Sequence, residues 1–225
     1  MGPLLVSLLP FILGSALVPL QIILFILLLK SPRQGPLKAA AFLAGMTTTR
    51  LLQGAVFSLV FTAESVEGQP GGKSPVVATL LLVLGLLLLI SAFRKWRKEV
   101  DPDEPPPQWL ARVDALTPLK AFAIGLGLLL IGPKFWVFTL SALATIGEAQ
   151  VGQPASAIAY VLFILLAQSL LVILIAIRLA APAQSKGLLN RISTWLERNN
   201  RAIVITVSLV FGLYFLYQGL SGLLG

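Results

Sequence analysis

Residues 121–146 read AFAIGLGLLLIGPKFWVFTLSALATI, an apolar run with one charge in it, Lys134, set directly after Pro133. A helix crosses roughly 30 Å of hydrocarbon with about 20 apolar residues. This run is therefore long enough to span a membrane, and it carries a helix breaker and a cation near its middle.

Five more runs of the same kind follow on working outward: 4–29, 39–61, 76–93, 155–177 and 202–224. They are rich in Leu, Ile, Val, Ala and Phe, too long for strands and without strict alternation, so helices are expected rather than a β-barrel. The first begins too near Met1 to carry a charged leader and has no small-residue cleavage site; it reads as a retained span, not a signal peptide.

Composition agrees. Of 225 residues, 57% are hydrophobic and 12% charged, against about 25% charged in a soluble domain, and the mean hydropathy is +0.92. There is no cysteine and no histidine. That removes disulfides, thiol chemistry, most zinc sites and Ser–His catalysis from consideration, so no cofactor or metal and no enzymatic activity is expected. The net charge of +8 is read as a topology signal, not as a nucleic-acid footprint. Fourteen of the 17 cations fall in segments 30–38, 94–120 and 178–201, and Lys73 alone lies in the alternate loops. The positive-inside rule puts the basic segments in the cytoplasm and both termini outside.

The expected fold is an all-α polytopic membrane protein with six transmembrane helices. They are arranged as two inverted three-helix repeats, N-out and C-out: 1–93 and 121–225, joined by a cytoplasmic linker at 94–120. Within the linker, 101–107 is acidic and proline-rich, hence extended, and Trp109, Leu110, Val113 and Leu116 suggest a short amphipathic turn. In 186–198, Leu188, Leu189, Ile192, Trp195 and Leu196 share one helical face, as in an interfacial helix or a plain connector.

Inverted-repeat transporters bind substrate near the midplane, where interrupted helices of the two halves meet. Here the first span contains Gly14 and Pro19, and the fourth contains Gly132 and Pro133, at similar depths. Each proline removes an amide donor and frees a carbonyl one turn back; ordinary kinks remain the alternative. Two cations lie within the spans, Arg50 and Lys134, while all nine acids lie in the expected loops. A cation at the bilayer centre costs about 2.5–3.5 kcal/mol even on the lenient scale. It needs freed carbonyls, water or an anion from outside as its partner. The unpaired amides of the half-helix that starts at Pro133, with Lys134, form one candidate anion site, which the guanidinium fork of Arg50 would close. The other reading is that both cations hold the kinks. Gln53 shares the face of Arg50, Gln168 lies mid-span in the fifth segment, and Trp136 is a packing residue or a cavity wall. The candidate substrate-binding set is thus Arg50, Lys134, Gln53, Gln168, Pro19, Gly132, Pro133 and Trp136.

At these residues the sequence resembles the lysine-exporter (LysE) superfamily, and within it the branch of glycopeptidolipid- and sulfolipid-addressing membrane proteins known as the GAP family. The resemblance rests on Gly14 and Pro19, the basic loop 30–38, Ala41-Phe-Leu-Ala-Gly45, Lys120-Ala-Phe-Ala-Ile-Gly125 and Pro133-Lys134. In relatives an Asn commonly precedes the Pro-Lys pair, where this chain has Gly132. The thiol-reducing branch needs a cysteine pair and the cation exchangers need intramembrane acids; this chain has neither.

The resemblance implies export of lipids or small polar metabolites towards the cell envelope of a prokaryotic inner or plasma membrane. Two functions are carried forward: an exporter of an anionic solute or lipid headgroup, and a non-transporting scaffold for envelope-lipid assembly. The expected partners are the bilayer, with anionic headgroups at the basic loops, and a small-molecule or lipid substrate; nucleic acid is not among them, and a homo-oligomer is compatible with the sequence.

Overall fold

The computed structural model describes residues 2–64, 75–97, 113 and 115–224. Among them are nine α-helices and no strand: α1 (Gly2–Ala16), α2 (Pro19–Lys30), α3 (Gly35–Glu64), α4 (Pro75–Arg97), α5 (Pro118–Ile131), α6 (Pro133–Glu148), α7 (Ala155–Ala167), α8 (Ser169–Ala180) and α9 (Pro182–Leu224). The linker stretch 101–107 and Trp109 and Leu110 lie outside the described residues, as do the side chains of Pro133 and Lys134.

The breaks expected at Pro19 and Pro133 are present. Helices α1 and α2 are bent by 59°, and α5 and α6 by 69°. The local cause is the same in both. The residue before proline is pushed out of the helical region, and Val18 (φ −74°, ψ 111°) and Gly132 (φ −79°, ψ 106°) are both extended. A third break has no such signal. Helices α7 and α8 are bent by 52° at Gln168, where neither proline nor glycine stands. The hydroxyl of Ser169 donates to the carbonyl of Leu166 at 2.7 Å. Among the described residues, by length and composition, α9 is the one single helix that suffices to cross a membrane, and each of the three bent pairs does so when counted as one span.

Outward faces are apolar: Leu52, Leu130, Ile173 and Leu213 are all exposed, as suits a surface covered by lipid rather than water. The interior divides into two clusters. One joins Leu8, Phe11, Leu88, Phe138, Phe163 and Phe215, with the rings of Phe11 and Phe215 stacked at 5.7 Å. The other joins Phe25, Phe42, Met46, Leu129 and Leu189.

Small residues set the two closest helix pairs, as in membrane bundles generally. Along α4 and α9, a Cβ on Gly85 would meet the backbone of Gly212 and Leu216, and one on Gly219 the backbone of Ala78 and Leu82. At the crossing of α3 and α5, a Cβ on Gly45 would strike the Phe122 carbonyl, and one on Gly125 the Phe42 carbonyl. The two apolar motifs quoted above for the family resemblance are therefore each other's packing partners.

The segment 186–198 forms the first part of α9, continuous with the last apolar run. Leu189 and Leu196 are buried against the second cluster, so this half of the helix is docked on the bundle. Glu197, placed in a loop from sequence, lies inside α9 and accepts a hydrogen bond from Ser193 at 2.8 Å.

Candidate functional site: a buried guanidinium beside the first helix break

Arg50 lies near the middle of α3 and is fully buried. Its Nη2 donates to Ser15 Oγ, in the last turn of α1. Its guanidinium lies over the ring of Phe163 on α7, 5.4 Å from the centroid. Among the described residues it meets no carboxylate. Three effects oppose the cost of burying the charge: a charge-assisted hydrogen bond, about 1.5–3 kcal/mol; a cation–π contact, about 0.5–2 kcal/mol; and the negative end of the α1 dipole, about 0.3–1 kcal/mol.

Those effects leave most of the group's donors unused. A guanidinium has five N–H donors arranged in two forks that share Nη2. Nε and Nη1 have no partner, and Ser15 occupies one hydrogen of Nη2. Whichever hydrogen that is, one complete two-donor fork remains free. Both amide atoms of Gln53, one turn along α3 and 3% exposed, are also unpartnered. So are Gln21 Oε1, Ser141 Oγ and Gln168 Nε2.

Among the described residues, carbonyls at both breaks accept from neutral side chains. Pro19 cannot donate to Ser15, and Gln21 Nε2 donates there instead at 2.7 Å, and to Ala16 at 3.2 Å. At the second break Trp136 Nε1 donates to the Leu130 carbonyl at 2.8 Å. Both donors lie six residues after their acceptors and just past the proline, so the halves use one device with different residues. Trp136 also sets its ring edge-on to Phe57 at 5.9 Å. Gly132 has no room for a side chain: a Cβ there would lie 2.7 Å from both the Leu128 carbonyl and the Phe135 ring.

Of the sequence-derived candidates, Arg50 and Gln53 fall on one stretch of α3 and Pro19 forms the break beside them. Gln168 meets Thr47 across α3, its Oε1 2.9 Å from the hydroxyl. Gly132 and Trp136 belong to the second break, and the side chains of Pro133 and Lys134 lie outside the described residues. Sequence reasoning missed Ser15, Gln21, Tyr160 and Phe163. It also missed the burial of Lys38, 3% exposed, whose Nζ donates to Ser31 Oγ at 2.7 Å. Gln21, an amide two residues after an intramembrane proline, was the one readable signal among these.

A family model described as Sap, sulfolipid-1-addressing protein, matches residues 8–221. No curated protein and no solved structure matches the chain.

Proposed function

The chain belongs to the sulfolipid-1-addressing protein family, and from that premise we propose that it moves an anionic lipid headgroup or small anionic solute across the membrane, with Arg50 as the recognising cation. The observation that carries this reading is the free fork of a fully buried guanidinium that meets no acid among the described residues. An oxyanion is the ligand a planar two-donor fork fits. In the name of the family it is a sulfolipid that is addressed, and a sulfate ester is such an oxyanion. Lys134, at the start of α6, is proposed as the second cation, with Gln53 and Gln168 as neutral contacts. The chain is proposed to bind, not to transform, its substrate.

The six-span, inverted-repeat arrangement is part of the same proposal, as is a place in the LysE superfamily. It is supported by the matched breaks at Val18 and Gly132, by the matched carbonyl contacts of Gln21 and Trp136, and by the pairing of helices. The third apolar segment (α4) lies along the sixth (α9), and the first half of span one (α1) packs on the second half of span four (α6). The charge pattern supports termini outside and basic segments in the cytoplasm of a prokaryotic inner membrane.

The reading is tested by comparing envelope lipids and exported metabolites of cells carrying the wild type, no copy, or Arg50→Gln with Lys134→Gln. The double variant is expected to match the null strain while inserting normally. Wild-type export from that variant would contradict the anion site and leave the scaffold role as the better account.

A further inference from the structure

Away from Arg50, an open groove of about 780 Å3 runs along the basic end of α4, lined by Leu89, Ile90, Phe93, Arg94 and Arg97. These positions share one helical face. Its wall is apolar and, among the described residues, uncovered: Ile90 is 48% exposed and Phe93 54%. Its rim is cationic, since Arg94, Lys95 and Arg97 make up the last turn, and the Arg97 guanidinium sits 5.7 Å from the centre of the Phe93 ring. A further cation comes from α9, where Arg201 Nη2 donates to the Trp96 carbonyl at 2.6 Å. Trp96 is exposed and lies 6.1 Å from Phe93. Aromatic rings beside arginines at the end of an apolar helix mark the headgroup level of a bilayer.

We infer that this groove seats an anionic phospholipid of the leaflet that faces the basic loops, with its acyl chain along Leu89, Ile90 and Phe93 and its phosphodiester at Arg94 and Arg97. Charge and shape select the occupant together. The described lining holds two cations and no acid, which calls for an anionic head. The apolar wall running away from them calls for a hydrocarbon tail, which free phosphate lacks. The site stands apart from Arg50 and does not rest on the transport reading.

The test uses the purified full chain in nanodiscs of phosphatidylcholine containing phosphatidylglycerol, with co-purifying lipid counted by native mass spectrometry. Arg94→Gln with Arg97→Gln is expected to weaken phosphatidylglycerol retention roughly thirtyfold. Lys186→Gln with Arg191→Gln, which removes the same charge from α9, is expected to leave retention unchanged. Ile90→Trp keeps every charge but fills the groove, and is expected to lose the lipid as well. Arg94→Lys with Arg97→Lys is expected to keep it, showing that the fold survives changes at this end. Equal loss in the α9 control, or full retention in either groove variant, would overturn the site.

Discussion

Tyr160 on α7 donates its phenolic hydroxyl to the main-chain carbonyl of Arg50, at 2.5 Å, in the middle of an α3 that nevertheless stays helical. The tyrosine ring takes the space that Gly54 leaves open, where a Cβ would collide with it. The same helix brings Phe163 under the Arg50 guanidinium. Thus α7 holds both the backbone and the side chain of the residue that the account places at its centre.

Tyr160→Phe keeps the ring and removes the hydroxyl, leaving the Arg50 carbonyl without that partner. The carbonyl keeps its place in the helical ladder of α3, so the loss is that of one ordinary hydrogen bond, about 0.5–1.5 kcal/mol. A lower melting temperature is expected in detergent, with insertion unchanged. An unaltered melting temperature would show that the bond contributes nothing.

The crossing of α3 and α5 leaves no space at Gly45 and Gly125, because the atoms met there are backbone. Gly125→Val is therefore expected to destabilise by about 1–3 kcal/mol or more. Gly187 has open space around it, and Gly187→Ala is expected to be neutral or to stabilise by about 0.4–1 kcal/mol. Thermal unfolding of the two variants side by side checks this.

If Gln21 and Trp136 play matching parts in two halves, Gln21→Leu and Trp136→Phe should each lower stability by about 1–3 kcal/mol through the carbonyls they abandon. The two sites share no partner, so the double variant should be additive within about 0.5 kcal/mol. A strongly non-additive double variant would place both residues in one network.

The positions of the first two breaks were legible because proline acts locally: Pro19 and Pro133 dictate the conformation of Val18 and Gly132 whatever surrounds them. The break at Gln168 was not, since no residue there forbids a helix and the bend depends on tertiary packing. Arg50 was legible as a cation in an apolar run. Its surroundings were not, because Ser15 and Tyr160 lie 35 and 110 residues away in the chain and resemble any other membrane serine or tyrosine. The carbonyls freed at the breaks were one expected partner for the buried cations, but at the first break Gln21 takes the Ser15 carbonyl, and Arg50 reaches the Ser15 hydroxyl instead. The helix expected at 186–198 and the span expected at 202–224 are one element. No proline or glycine stands between them, and α9 runs through both.

The most direct measurement of the central claim is the amount of sulfur-labelled anionic lipid reaching the cell surface in cells expressing wild type, Arg50→Lys or Arg50→Gln at equal membrane levels. A lysine keeps the charge but loses the fork, and a glutamine loses both. The account predicts export reduced in Arg50→Lys and abolished in Arg50→Gln, with both proteins inserted and monodisperse. Wild-type export in Arg50→Gln would contradict it.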